Sequence, residues 1–108
     1  MSLYLTRARY TAEAFKGMIA HPAERASIAK SMFDAADMKL HHIWMSSSND
    51  VVCVVEGSVV SGAAVSMVVM ASGAFSEASS LELFTPEQQL AAMKLAGTVA
   101  AKYRAPGK

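Results

Sequence analysis

Residues 40–56, LHHIWMSSSNDVVCVVE, set the pattern for the chain. Two runs rich in β-branched and aromatic residues flank Ser46-Ser47-Ser48-Asn49-Asp50, a cluster of turn formers. Such a pattern predicts a β-hairpin. With a tight turn centred on Ser48-Asn49, Met45 faces Val52, Trp44 faces Cys53, Ile43 faces Val54, His42 faces Val55 and His41 faces Glu56. Directly opposed residues share a face of the sheet. That register puts Trp44, His42, Cys53 and Val55 on one face. Met45, Ile43, Val52 and Val54 lie on the other, with His41 beside Glu56. Both faces are apolar, and a slip of one residue would leave them so. A sheet in a small two-layer domain covers only one face with its own helices. The second face needs another cover, and a partner chain is the simplest.

The same reading extends along the chain. Residues 3–10 alternate as a strand, with Leu3 and Leu5 on one face and Tyr4, Thr6 and Ala8 on the other. Thr11 is placed to cap a helix carrying Phe15, Met18 and Ile19. That helix breaks near Ala20, ahead of Pro22. Pro22 is then expected to open a second helical segment reaching Asp37. On that segment Ala29, Met32, Phe33 and Ala36 face inward, and Lys30 and Asp34 sit four apart for an ion pair. After the hairpin, Ser58 caps a helix over residues 59–71, and Gly73 ends it. A strand beginning at Phe75 or Glu77 and ending at Phe84 follows. Thr85-Pro86-Glu87-Gln88 combines a Thr cap, a Pro at the first helical position and a Gln three residues on, a capping box. The last helix is expected to reach Tyr103, with residues 104–108 a frayed tail of a single domain.

The order β-α-β-β-α-β-α, with right-handed crossovers, predicts an α+β fold. Its antiparallel sheet runs 4-1-3-2 with helices on one face. This is a ferredoxin-like arrangement plus a C-terminal helix.

Composition narrows the function classes. The chain has 108 residues, 53% apolar and 18% charged, enough for one core and unlike a disordered segment. Ten basic and nine acidic residues give a net charge of +1 without clustering. No nucleic-acid footprint results. The lone Cys53 reads as a small buried hydrophobe in a reducing, cytoplasmic setting. The N-terminal residues lack the pattern of a signal peptide. Residues 57–76 carry no charge, but their serines and glycines argue against a membrane span. A buried or subunit-facing helix is the expectation there.

Several stretches together resemble the GYD domain family. They are Tyr4-Leu5-Thr6, Arg9-Tyr10-Thr11, the helix break before Pro22, Trp44 six residues before Asp50, Asp50-Val51-Val52 and Val55-Glu56. That family is similar to the dimeric α/β-barrel proteins, in which two ferredoxin-like sheets pack face to face. The resemblance implies a fold and a homodimer or larger homo-oligomer, but no reaction. The chain departs from the family where Ser47 and Asn49 stand in place of the Gly and Tyr of the naming stretch; Asp50 is kept. If that Gly is needed for a positive φ, Ser47 would strain the turn.

Candidate chemistry gathers in two places. Arg9 and Asp50 fall at one edge of the sheet, where Arg9 could hold an anion and Asp50 accept a hydrogen bond or act as base. Equally, Asp50 could cap the turn and pair with Arg9. His42 and Trp44, with Tyr4, Thr6 and Glu82, are expected to line the space between two paired sheets. His42 there is an acid/base candidate or a hydrogen-bonded interface residue. Adjacent His41 and His42 point to opposite faces unless the strand bulges, and His42 with Cys53 supplies too few ligands for zinc, so no metal is expected. The chain has no Walker loop, dinucleotide glycine pattern or nucleophile elbow, and no cofactor is expected.

The leading expectation is a protein that binds a small, largely apolar ligand between paired sheets. The ligand-binding candidates are Tyr4, Thr6, Arg9, His42, Trp44 and Asp50. The alternatives are a cofactor-independent enzyme using His42 or Asp50 as acid/base, and a purely structural assembly module.

Overall fold

The computed structural model describes residues 1–108. Its elements are β1 (Ser2–Tyr10), α1 (Ala12–Ala20), α2 (Ala26–Ala35), β2 (Lys39–Met45), β3 (Asp50–Gly57), α3 (Val59–Ala71), β4 (Phe75–Leu83) and α4 (Pro86–Ala100). The four strands form one antiparallel sheet in the order β2-β3-β1-β4, the expected ferredoxin-like arrangement.

Most boundaries follow from local chemistry. Thr11 caps α1 by accepting the Ala14 N–H, and its hydroxyl donates to the Gly73 carbonyl. One residue thereby ties the start of α1 to the end of α3. Ser58 caps α3 through the Ser61 N–H. Gly73 turns the chain at φ +77°, a conformation that suits glycine. Thr85 and Gln88 form the reciprocal capping box of α4. Lys30 and Asp34 pair at 2.8 Å on α2.

The second helical segment does not open at Pro22. Residues 22–25 are irregular, and α2 starts at Ala26, whose N–H donates to the Glu24 carboxylate. Pro22 tolerates a helix start without requiring one, and Glu24 satisfies an amide there instead. α2 ends in a Schellman motif: Met38 N–H donates to the Phe33 carbonyl and Asp37 N–H to that of Asp34, with Asp37 at φ 58°. The motif delivers Phe33 and Met38 together into the core.

The hairpin register differs from the tight-turn expectation. Asn49 adopts φ 67°, its N–H donates to the Ser46 carbonyl, and Ser46 N–H donates to that of Asp50. The loop is therefore the three residues 47–49, a turn followed by a left-handed residue. Every pair moves by one: Met45 opposes Val51, Trp44 opposes Val52 and Ile43 opposes Cys53. The register shifts again between Leu40 and His42, leaving His41 as the extra residue of a bulge. Ser47 is not at positive φ, so the serine in place of the family's glycine carries no strain.

A one-residue shift exchanges faces. Val51, Cys53 and Val55 point inward, against Phe33 and Met38, which close the end of α2, and Val65 of α3. Leu40 and Ile43 pack beside them. His42, Trp44, Val52 and Val54 share the outer face with Leu3, Leu5, Arg7 and Arg9. Val55 is 1% exposed, and full burial of a valine contributes about 1.5–3 kcal/mol.

Two glycines test this packing. A Cβ on Gly57 would sit 2.8 Å from Met38 Cγ, whereas one on Gly62 would meet only Met38 Cε at 3.9 Å. Gly57→Ala is expected to destabilise the protein by about 1–3 kcal/mol through overpacking. Gly62→Ala, inside α3, is expected to stabilise it by up to about 1 kcal/mol through helix propensity. Urea denaturation of both variants checks the pair.

Candidate functional site

The structure divides the sequence-derived candidates between the two faces of the sheet. β1 is the reason. It alternates strictly, so Tyr4, Thr6 and Ala8 face the helices while Leu3, Leu5, Arg7 and Arg9 face outward. Asp50 pairs with Arg9 across β1 and β3, and it too belongs to the outer face. His42 and Trp44 join it there because of the three-residue loop. Tyr4 and Thr6 are therefore separated from His42, Trp44, Arg9 and Asp50 by the thickness of the sheet.

On the outer face lies a compact ionic cluster. Arg9 Nε donates to Asp50 Oδ1 at 3.0 Å and Arg7 Nε donates to Oδ2 at 2.6 Å. The Ser48 hydroxyl reaches Oδ2 at 3.5 Å, and the Asp50 N–H donates to the Ser46 hydroxyl at 3.2 Å. The Asp50 side chain is only 2% exposed, covered by two arginines that are themselves about half exposed. Hydrogen bonds from Arg9 and then Arg7 hold its carboxyl below the usual carboxylate range, while Asp50 raises the Arg9 guanidinium. Asp50 here closes the turn through its backbone and pairs with Arg9, the second of the two roles expected for it. Arg7 is the member that sequence reasoning missed. The alternation of β1 puts it beside Arg9 on one face two residues apart, which was the available signal.

Farther along the outer face the His42 ring stacks on Trp44, with centroids 4.7 Å apart and planes within 9°. Both side chains are exposed, so His42 occupies no apolar cavity within this chain. His41, freed by the bulge, bonds the Glu56 carboxylate at 2.9 Å. The bulge thus achieves the expected His41–Glu56 contact by a route that simple pairing would not.

The helix-facing side holds a partly open cleft of about 660 Å³ between β1, β3, α2 and α3. Eighteen of its 26 lining residues are hydrophobic, so any occupant must be largely apolar. Tyr4, Thr6 and Ala8 form its floor, Met32 of α2 and Val69 of α3 its walls. Tyr10 and Phe75 stack at 4.6 Å at one end, with Phe15 edge-on to Tyr10. Ser80 and Glu82 of β4 add polar groups along the open side. Cys53 lies in the floor, and burial pushes its thiol pKa up against a weaker opposing hydrogen bond from Thr6. A buried neutral thiol is a poor nucleophile. The sequence reading placed Tyr4, Thr6 and Glu82 in a space between two paired sheets; the structure puts them in this cleft instead, with α2 and α3 as its walls.

The Asp50 cluster has a pH signature. A carboxyl depressed in the folded state stabilises the protein above its unfolded pKa of about 4, and that stabilisation is lost as pH falls through the folded value. Asp50→Asn is expected to lower Tm at pH 7. The gap from the wild type is expected to shrink steadily between pH 5 and pH 2 in thermal melts. An equal gap at pH 7 and pH 2 would mean that the cluster's charge does not stabilise the fold.

Three solved structures are similar to this chain. The C-terminal domain of the MgtC protein from Mycobacterium tuberculosis superposes with a TM-score of 0.50 at 9% identity, covering 77% of this chain and 88% of that one. A NIPSNAP domain protein from Burkholderia xenovorans gives 0.46 at 16% identity, covering 79% and 94%. A nipsnap family protein from Agrobacterium tumefaciens gives 0.42 at 18% identity, covering 79% and 92%. No curated protein matches the chain by sequence. The family model for the GYD domain matches residues 4–93, nearly the whole of the sheet and its helices and half of α4, and the chain belongs to the GYD domain family.

Proposed function

We propose that this protein binds a small, largely apolar organic molecule in the cleft between the sheet and helices α2 and α3, and that two copies pair through the outer sheet face. The observation that carries the reading is the cleft itself. Its volume of about 660 Å³ falls in the range of small-molecule sites, and its polar groups are few, with Ser79, Ser80 and Glu82 along β4, Ser66 on α3 and Arg25 at the start of α2 among them. The site lies within one chain, beneath its own helices, rather than between two sheets.

Binding is better supported than catalysis. Neither His42 nor Asp50 faces the cleft. Asp50 is an ionised carboxylate held by two arginines, which weakens it as a base. The Cys53 thiol is kept neutral by burial. Glu82 is the one carboxylate at the rim, and it suits an amine or hydroxyl on the ligand.

Pairing is supported by the outer face. Leu3, Leu5, Val52 and Val54 form an apolar strip across its centre. Trp44 and Leu81 flank it, 58% and 63% exposed. Contiguous apolar surface of this kind marks an interaction site. The Arg7–Asp50–Arg9 cluster closes one end of the strip and would fix the partner's orientation.

Two experiments test these statements. A library of small aromatic and aliphatic compounds screened by amide chemical-shift perturbation is expected to move Thr6, Ala8 and Val69. Ala8→Trp, which fills the floor, is expected to weaken any hit by tenfold or more, while Trp44→Ala leaves it unchanged; hits mapping only to the outer face would defeat the cleft reading. Leu5→Arg is expected to break the sheet-face contact and lower the mass of the assembly in light scattering while the chain stays folded. An unchanged mass would remove the sheet face as the interface.

A further inference from the structure

Helix α4 makes almost no use of its own chain. It follows β4 after only Phe84 and Thr85, and the Thr85–Gln88 capping box with Pro86 at the first position fixes its direction. It projects from the body, stretching the molecule to 60 Å along one axis. The radius of gyration is 18.3 Å, against about 13 Å for a compact domain of this length. Yet α4 is not a polar helix. Beyond the polar first turn Glu87-Gln88-Gln89, Lys94, Thr98 and Lys102 recur at helical spacing as one polar stripe. Leu90, Met93, Leu95 and Val99 occupy the rest, each more than half exposed. A 15-residue helix is marginal in water without packing. This one therefore needs a surface that its own chain does not supply.

A matching surface exists on α3. Val65 faces inward from this helix, and Ser61, Gly62 and Val69 are only partly buried. Val60, Met67 and Val68 are exposed, at 79%, 73% and 59%. No charged residue occurs between Gly57 and Ser76, so nothing on α3 repels an apolar helix. The two helices match in length, about 20 Å for α3 and about 22 Å for α4 at 1.5 Å per residue. Ala64 on α3 and Ala96, Gly97 and Ala100 on α4 allow close approach of the axes.

Charge selects the partner. Residues 86–108 carry four basic groups, Lys94, Lys102, Arg104 and Lys108, against Glu87, a net of +3. Residues 1–85 carry the other six basic and eight acidic groups, a net of −2. A basic arm and an acidic body attract between copies of one chain. We infer that α4 is an exchange arm: it docks its apolar side on the outward face of α3 of a second copy, and the second copy returns the contact. The exchange is isologous and closes after two chains. It uses surfaces separate from the outer sheet face, so either contact can fail without the other.

Cross-linking of the full chain tests the arm directly. In a Cys53→Ser background, Met67→Cys and Val99→Cys are made in separate chains. Each alone is expected to remain uncross-linked under mild oxidation, and their mixture, after exchange of subunits, to give a disulfide-linked pair on a non-reducing gel. In a Leu5→Arg background, Leu95→Glu with Val99→Glu is expected to weaken self-association at least tenfold by light scattering, with a loss of far-ultraviolet circular dichroism no larger than the helical signal of α4. Leu5→Arg, on the sheet face, is expected to leave the mixed cross-link in place. No cross-link in the mixture, or cross-linking of both cysteines within one doubly substituted chain, would overturn the exchange. So would a wild-type chain that stays monomeric and floats with phosphatidylserine vesicles, since its arm would then serve a membrane.

Discussion

Asn49 sits at φ 67°, and that one backbone conformation decides which side of the sheet each residue of β2 occupies. A two-residue loop would have put Trp44 and His42 beneath the helices with Cys53 and Val55. The three-residue loop puts Ile43 there and sends the ring pair outward. Asparagine tolerates the left-handed region because its short polar side chain can satisfy nearby backbone groups. Asp50, the next residue, then begins β3 in register with Arg9 and receives two guanidiniums. The inward march of Val51, Cys53 and Val55 starts from the same point. The core, the ionic cluster and the apolar outer strip thus follow from the same turn.

Local signals were legible in the sequence where chemistry is local. The caps at Thr11, Ser58 and Thr85, the break at Gly73 and the strand order could be read because each rests on residues within a few positions of one another, or on the handedness of crossovers. The register was not legible, since five consecutive turn formers allow loops of two, three or more residues with similar propensities. The candidate site inherited that ambiguity. Tyr4, Thr6, His42 and Trp44 were all expected in the space between paired sheets; the shifted parity leaves His42 and Trp44 on the outer face, and the alternation of β1 turns Tyr4 and Thr6 to the helices. Arg7 was legible from the same strand order that brought Arg9 to Asp50, since alternation along β1 sets the two arginines on one face.

The helix layer and the outer strip place opposite demands on this chain. Only eight of its 108 residues are buried, which is few for a domain whose composition is 53% apolar. The uncovered apolar area is not scattered but collected on three surfaces: the outer sheet face, the outward side of α3 and most of α4. Single exposed hydrophobes are ordinary, whereas three continuous surfaces on one small body are not. A charge-free α3 would be an aggregation hazard in a monomer, and it becomes an asset once a helix lies on it.

The cleft connects these features. Its open side runs along β4, whose inward residues Ala78, Ser80 and Glu82 are exposed because neither α2 nor α3 reaches across them. α3 forms one wall through Val65 and Val69 while leaving Val60 and Met67 to the outside. A helix packed on the outside of α3 restrains the same rigid rod that bounds the cleft. Any ligand that shifts α3 would therefore change the fit of the arm, and arm docking would in turn change the cleft, because coupling between two sites that share a rigid element is reciprocal. The proposed binding and the proposed arm docking would thus be two loads on a single helix.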